Sequence, residues 1–112
     1  IKIVIKQKGM NLIKQNQIYD EIASFYSDEC KVPIDKIIEG EGSNRVLLFV
    51  FVHILKRDLK FNTQFVAEKI NQKVKDVFAI CNVVETSKKT GGMYVDTYDY
   101  AREKILNEFP NE

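Results

Sequence analysis

Hydrophobic positions are unevenly spread along the 112 residues. Residues 46–55 read Val-Leu-Leu-Phe-Val-Phe-Val-His-Ile-Leu, apolar throughout except for the chain's single histidine. A membrane span needs about 20 apolar residues, so this run is a core element. Its Val, Ile and Phe content admits a strand buried on both faces. Three features favour a helix instead. Ser43 or Asn44 can cap its start, Lys56, Arg57 and Lys60 lie where cations suit a helix C-terminus, and no turn signal comes before Asn62. A helix apolar all round is covered on all sides, so the rest of the chain must supply helices to surround it.

The flanking patterns meet that demand. Over 11–30, Ile18, Tyr19, Ile22, Ala23, Phe25 and Tyr26 recur at helical spacing, with Lys14, Gln15, Asp20, Glu21 and Ser24 mostly opposite. Pro33 suits the start of a short helix carrying Ile34, Ile37 and Ile38, and Gly40 and Gly42 stop it. Residues 61–71 predict a second short helix, capped by Asn62 or Thr63, with Phe65, Val66 and Ile70 inward. After a polar break at Asn71-Gln72, residues 73–88 place Val74, Val77, Phe78, Cys81 and Val84 on one stripe, with Lys73, Lys75, Asp76, Asn82 and Glu85 outside. Thr90-Gly91-Gly92 ends that helix. Asp96 or Thr97 caps a last helix with Tyr98, Ala101, Arg102, Ile105, Leu106 and Phe109 on its inner and boundary positions, and Pro110 stops it. The expectation is an all-α bundle of about six helices, two of them very short, around a buried central helix. Residues 1–9 partly alternate apolar residues with Lys, a strand signal. Residues 1–10 are read as a peripheral segment, with Gly9-Met10 as a candidate natural start, and 11–112 as a single helical domain.

Composition narrows the function classes. The chain is 45% hydrophobic and 29% charged with a formal net charge of +1, the profile of an ordinary globular domain. Its length suffices for a core without a disulfide or metal staple. Overall charge does not demand a nucleic acid, so only a local basic patch would support one. Cys30 and Cys81 match no metal spacing and read as free thiols. No targeting segment is apparent, and the expected location is the cytoplasm, with no membrane association.

Catalytic chemistry finds little support. A nucleophile needs a base within reach, and the only histidine, His53, lies inside the most apolar run, as a core histidine would. No metal-ligand spacing is present. Lys88-Lys89-Thr90-Gly91-Gly92 lacks the strand and glycine spacing of a phosphate loop and reads as a helix end. No enzymatic activity, metal, cofactor or nucleotide is expected.

One constellation remains. A short helix, a tight turn and a longer helix over 62–88 fit helix-turn-helix geometry, in which the first residues of the second helix meet base edges. Those are Gln72, Lys73, Lys75 and Asp76. Gln suits adenine, and Lys suits guanine or phosphate. Lys60, Asn62, Thr63 and Gln64, at the start of the first helix, suit backbone phosphate. The plain alternative is an αα-hairpin with a solvated face.

The order "IYDEIASFY", "VPIDKII", a long helix, "QFVAEKIN" and "VFAICNVVE" resembles the C-terminal duplex-DNA-binding domain of the bacterial replication initiator DnaA, over about residues 17–90. Val66-Ala67 stand where that family has its "IG", Ile70 where it has Phe, and Val77, Cys81 and Glu85 where its signature has Val, Cys and Glu. The resemblance implies a compact multi-helix bundle of the DnaA C-terminal or Trp-repressor-like kind. It also implies duplex DNA as partner and a role in replication or a mobile element. The departures lie at the base-reading positions. Asn71-Gln72 replaces the family's double Gly, Lys73-Val74-Lys75-Asp76 replaces Asp-His-Thr-Thr, and Leu48-Phe49 replaces the Arg-Gln pair opening the long helix. No base-reading residue therefore carries over. Two functions follow as expectations. One is a helix-turn-helix protein binding duplex DNA through residues 62–76. The other is a protein–protein interaction module on the same skeleton, with Met93, Tyr94, Tyr98 and Tyr100 as a candidate contact patch.

Overall fold

The computed structural model describes residues 12–110, so the expectations for residues 1–10 lie outside the described residues. Among the described residues there are six α-helices and no strand. They are α1 (Leu12–Cys30), α2 (Ile34–Glu39), α3 (Asn44–His53), α4 (Thr63–Lys69), α5 (Val74–Thr90) and α6 (Met93–Glu108). A π-helical turn, Ile54–Asp58, joins α3 to α4.

The apolar run forms α3 and the first part of the π turn, and every residue from Leu48 to Leu55 is buried. Helices α2, α5 and α6 pack directly against α3. Helix α1 reaches it through aromatic side chains. Tyr26 stacks on Phe51 with ring centres 4.9 Å apart, Tyr19 meets the same ring at 6.0 Å, and the Tyr26 hydroxyl donates to the Leu47 carbonyl at 2.7 Å. Ser43 stands at the N-cap of α3, but its side chain makes no capping hydrogen bond.

The chain reverses wherever a residue adopts left-handed backbone. Lys31 (φ 58°) ends α1, Gly40 (φ 64°) ends α2, and Lys60 (φ 59°) separates the π turn from α4. Gly40 is required for space as well as conformation, because a Cβ there would lie 2.7 Å from Leu48 Cδ2 on α3. In the π turn the hydrogen bonds lengthen their span. Leu59 N donates to Ile54 O, and Phe61 N to Leu55 O, both at 2.9 Å. This inserts extra backbone per turn and brings Asp58 back beside His53.

Two expectations need correcting. Helix α6 begins at Met93 with Gly92 at its N-cap, not at Asp96 or Thr97. Consecutive positive φ at Gly91 and Gly92 reverses the chain at once, leaving Asp96 in the first turn, where its charge suits the helix N-terminus. On α5 the buried stripe is Val77, Ile80, Cys81, Val84 and Ser87, while Phe78 is 42% exposed.

Candidate nucleic-acid interface

Helices α4 and α5 are joined by residues 70–73, and local hydrogen bonds fix the turn. Asn71 adopts φ 58°, Gln72 N donates to Ala67 O at 2.9 Å, and Lys73 N donates to the Asp76 carboxylate at 3.2 Å. At the other end of α4, Asn62 Oδ1 accepts from Phe65 N at 3.1 Å, and Asn62 N donates to the buried Gln15 on α1. The expected Asn62 cap is therefore present, and α4 is held at both ends.

Six of the seven sequence-predicted DNA-facing residues are exposed: Lys60, Asn62, Gln64, Gln72, Lys73 and Lys75. Thr63 is half-buried. They form two groups at opposite ends of α4, separated by its length of about 10 Å. Their roles differ. The Asn62 side chain is committed to the cap, the Gln64 amide donates to Glu68 at 3.3 Å, and Asp76 is tied to the start of α5.

Charge is segregated along the chain. Residues 56–76 carry six Lys and Arg against three Asp and Glu, a net +3, while the remainder is net −2. Lys56 and Arg57, which the sequence pattern assigns only to a helix end, belong to this segment. Lys56 and Arg57 stand close enough to Cys81 on α5 that both oppose the upward push of burial on its thiol pKa. The basic π turn thus lies against the flank of α5. Cys30 and Cys81 are both free thiols.

A polar cluster lies beneath the π turn, and the sequence pattern does not announce it. His53 is fully buried and 2.6 Å through Nε2 from the Glu85 carboxylate, while its Nδ1 has no hydrogen-bond partner and lies 3.8 Å from Asp58. The Tyr98 hydroxyl donates to Asp58 at 2.9 Å, Arg102 Nε donates to the same carboxylate at 3.1 Å, and Lys88 reaches Glu85 at 3.4 Å. Burial lowers the His53 pKa below its ordinary value, against the opposing effect of its hydrogen bond with Glu85. The imidazole is then neutral, with Nε2–H donating. That hydrogen bond in turn holds the Glu85 carboxyl below its usual range, and burial beside Asp58 raises the Tyr98 phenol. His53 and Asp58, five positions apart, meet through the π geometry. Glu85, 32 residues beyond His53, falls on the solvent side of α5 by sequence pattern yet turns to the imidazole. The cluster ties α3, α5 and α6 together.

Elsewhere, Met93 and Tyr100 are 64% and 55% exposed, and Tyr94 is half-buried. Tyr98 is buried by the cluster and drops out of the expected surface patch. A groove of about 360 Å³ between α1 and α6 is floored by Tyr26, Leu47, Ala101 and Ile105, with Tyr100 on its wall. Among the described residues no group of three or more His, Cys, Asp or Glu could hold a metal ion, and no helix is long and apolar enough to cross a membrane.

No family model matches the chain, and neither a curated protein nor a solved structure matches it.

Proposed function

We propose that the chain binds duplex DNA through residues 56–76 and the exposed face of α5, with α4 and α5 acting as a helix-turn-helix. The observation that carries this reading is the concentration of positive charge. The chain's net charge is only +1, yet residues 56–76 are net +3, as are residues 1–10, and Gln72, Lys73 and Lys75 are exposed where α5 begins. Phosphate contacts supply most of the affinity of such proteins, and Lys56, Arg57, Lys60, Lys73 and Lys75 are the groups for that work. Gln72 is the group for a base edge. The similarity in helix order to the DnaA C-terminal domain supports the same reading of partner and architecture. The replaced signature residues imply a different target sequence, whether the setting is replication or a mobile element.

The test is fluorescence anisotropy with a labelled duplex of random sequence across a salt series. If all six cations met phosphates, affinity would fall about thousandfold between about 50 and 200 mM salt. Replacing Lys60, Lys73 and Lys75 with Ala lowers the slope of log affinity against log salt by about 0.9 for each phosphate that is no longer neutralised. Absence of binding at low salt refutes the proposal.

A second reading, a protein-interaction module, draws on the exposure of Met93 and Tyr100 beside the α1–α6 groove. It predicts self-association or capture of a partner helix that the Tyr100→Ser variant abolishes while leaving any DNA affinity unchanged. A monomer by sedimentation, unaffected by the variant, with full DNA binding, removes it.

A further inference from the structure

The outward face of α5 does not look like a solvated helix surface. Lys75, Phe78, Ala79 and Asn82 fall at i, i+3, i+4 and i+7, so they share one face, and all four are exposed. Phe78 keeps 42% of its surface in water. Its exposure has no packing explanation, since the core stripe runs through Ile80 and Cys81 instead. The face spans about 10 Å along the helix axis, the rise of seven residues and about three steps of a DNA strand. At one end stand Gln72 and Lys73, and alongside lies the basic turn with Arg57.

We propose that this face reads thymine methyl groups in the major groove, so that the DNA bound by this chain is selected for A·T pairs by Phe78 and Ala79. The proposal rests on the DNA-binding reading and adds its specificity. Each exposed side chain has a matching group there. Apolar Phe and Ala pack against the thymine C5 methyl, Asn pairs with the N6 and N7 edge of adenine, and Lys meets guanine or phosphate. The apolar Phe78 and Ala79, with exposed Val83 one turn beyond Ala79 and Lys75 and Asn82 on the same face, suit an A·T step, whose two bases offer one methyl and one amide-matched edge. The net +3 of residues 56–76, which include Lys75 on this face and Lys73 at its end, favours a polyanion as its occupant. The first two turns of the second helix, which hold Lys75, Phe78 and Ala79, are the part of a helix-turn-helix that enters the groove.

The experiment uses the full chain. A duplex is selected from a random pool by retained binding. It is then prepared in two forms, with thymine and with deoxyuridine, which lacks only the C5 methyl. Affinity for the uracil form should be lower by about fourfold for each methyl covered, the worth of one buried carbon. The Phe78→Ala variant, which keeps Ala79, should discriminate between the two forms less than the wild-type chain while keeping the wild-type salt slope. The residue is exposed, so its removal leaves the fold intact, and an unchanged circular dichroism spectrum checks this. Equal binding of the two forms by the wild-type chain overturns the proposal while leaving the DNA reading in place. So does a selected site without A·T pairs, or a Phe78→Ala variant that discriminates as fully as the wild-type chain. Binding of neither form at low salt removes both.

Discussion

Mild acid should weaken this fold through one side chain. His53 is the only histidine, so no other side chain carries an ordinary pKa between about pH 5 and 8. Burial holds its folded pKa below 6.5, although Glu85 and Asp58 pull the other way. The unfolded chain therefore takes up a proton near pH 6.5 that the folded protein refuses. The stability is fully present above that pH, is lost as pH falls through it, and levels off only once the folded imidazole itself protonates. Proton uptake by the unfolded chain sets the ceiling: from about pH 7.5 to 5.5 the loss is at most about 1.4 kcal/mol. Glu85, whose folded carboxyl lies below 4.5, adds nothing in this window, since its contribution is lost only in stronger acid. For a domain of this size the loss moves a urea midpoint by about 1 M. The assay is urea unfolding followed by helical circular dichroism at several pH values across the window. The His53→Gln variant keeps a donor for Glu85 and does not titrate, so its midpoint should be flat there. A wild-type midpoint that climbs as pH falls would mean an imidazolium shared by Glu85 and Asp58, and would refute the reasoning. So would an unchanged slope in the variant.

Two packing predictions follow. Phe51→Ala empties a site at 0% exposure between Tyr19 and Tyr26 and should cost about 3–5 kcal/mol by urea unfolding, whereas Phe78→Ala at the surface stays within about 0.5 kcal/mol. Gly40→Ala meets both a left-handed backbone and Leu48 Cδ2 at 2.7 Å, while Gly42→Ala meets the same kind of backbone with nothing within 4 Å. Both lose about 1–2 kcal/mol to the backbone, and Gly40→Ala must lose more, which paired thermal melts will rank.

The main frame was legible because helical spacing is a direct consequence of burial. Ile18, Tyr19, Ile22, Ala23 and Tyr26 repeat on one face of α1 and are all buried, and the run at 46–55 is the central helix its surroundings suggested. Asn62 announced its cap by residue type. The π turn was not legible, since shifting a hydrogen bond by one residue leaves no mark in residue type. The α5 stripe was legible only to within a rotation. Val77, Cys81 and Val84 fit a face centred toward Phe78 or toward Ile80, and only the neighbouring helices decide which side is covered. At the candidate interface, exposure of Lys60, Asn62, Gln64, Gln72, Lys73 and Lys75 followed from pattern, whereas Thr63 is half-buried. The His53–Glu85 pair did not, because nothing local joins residues 32 positions apart.

The π turn links the buried cluster to the basic surface. Its Asp58 faces inward, where Tyr98 and Arg102 from α6 meet its charge, while its exposed Arg57 lies against α5. A regular helix here would move Asp58 away from His53 and change the direction in which the neighbouring cations project. Charge acts over a distance of about 8 Å at physiological salt, shorter than the 27 Å narrowest extent of the molecule. A charged group close to residues 56–76 therefore feels their net +3 more than it feels charges on the far side of the molecule. A chain near neutrality is thus compatible with a polyanionic partner, provided its acids are gathered elsewhere or, like Asp58 and Asp76, engaged by hydrogen bonds within the fold.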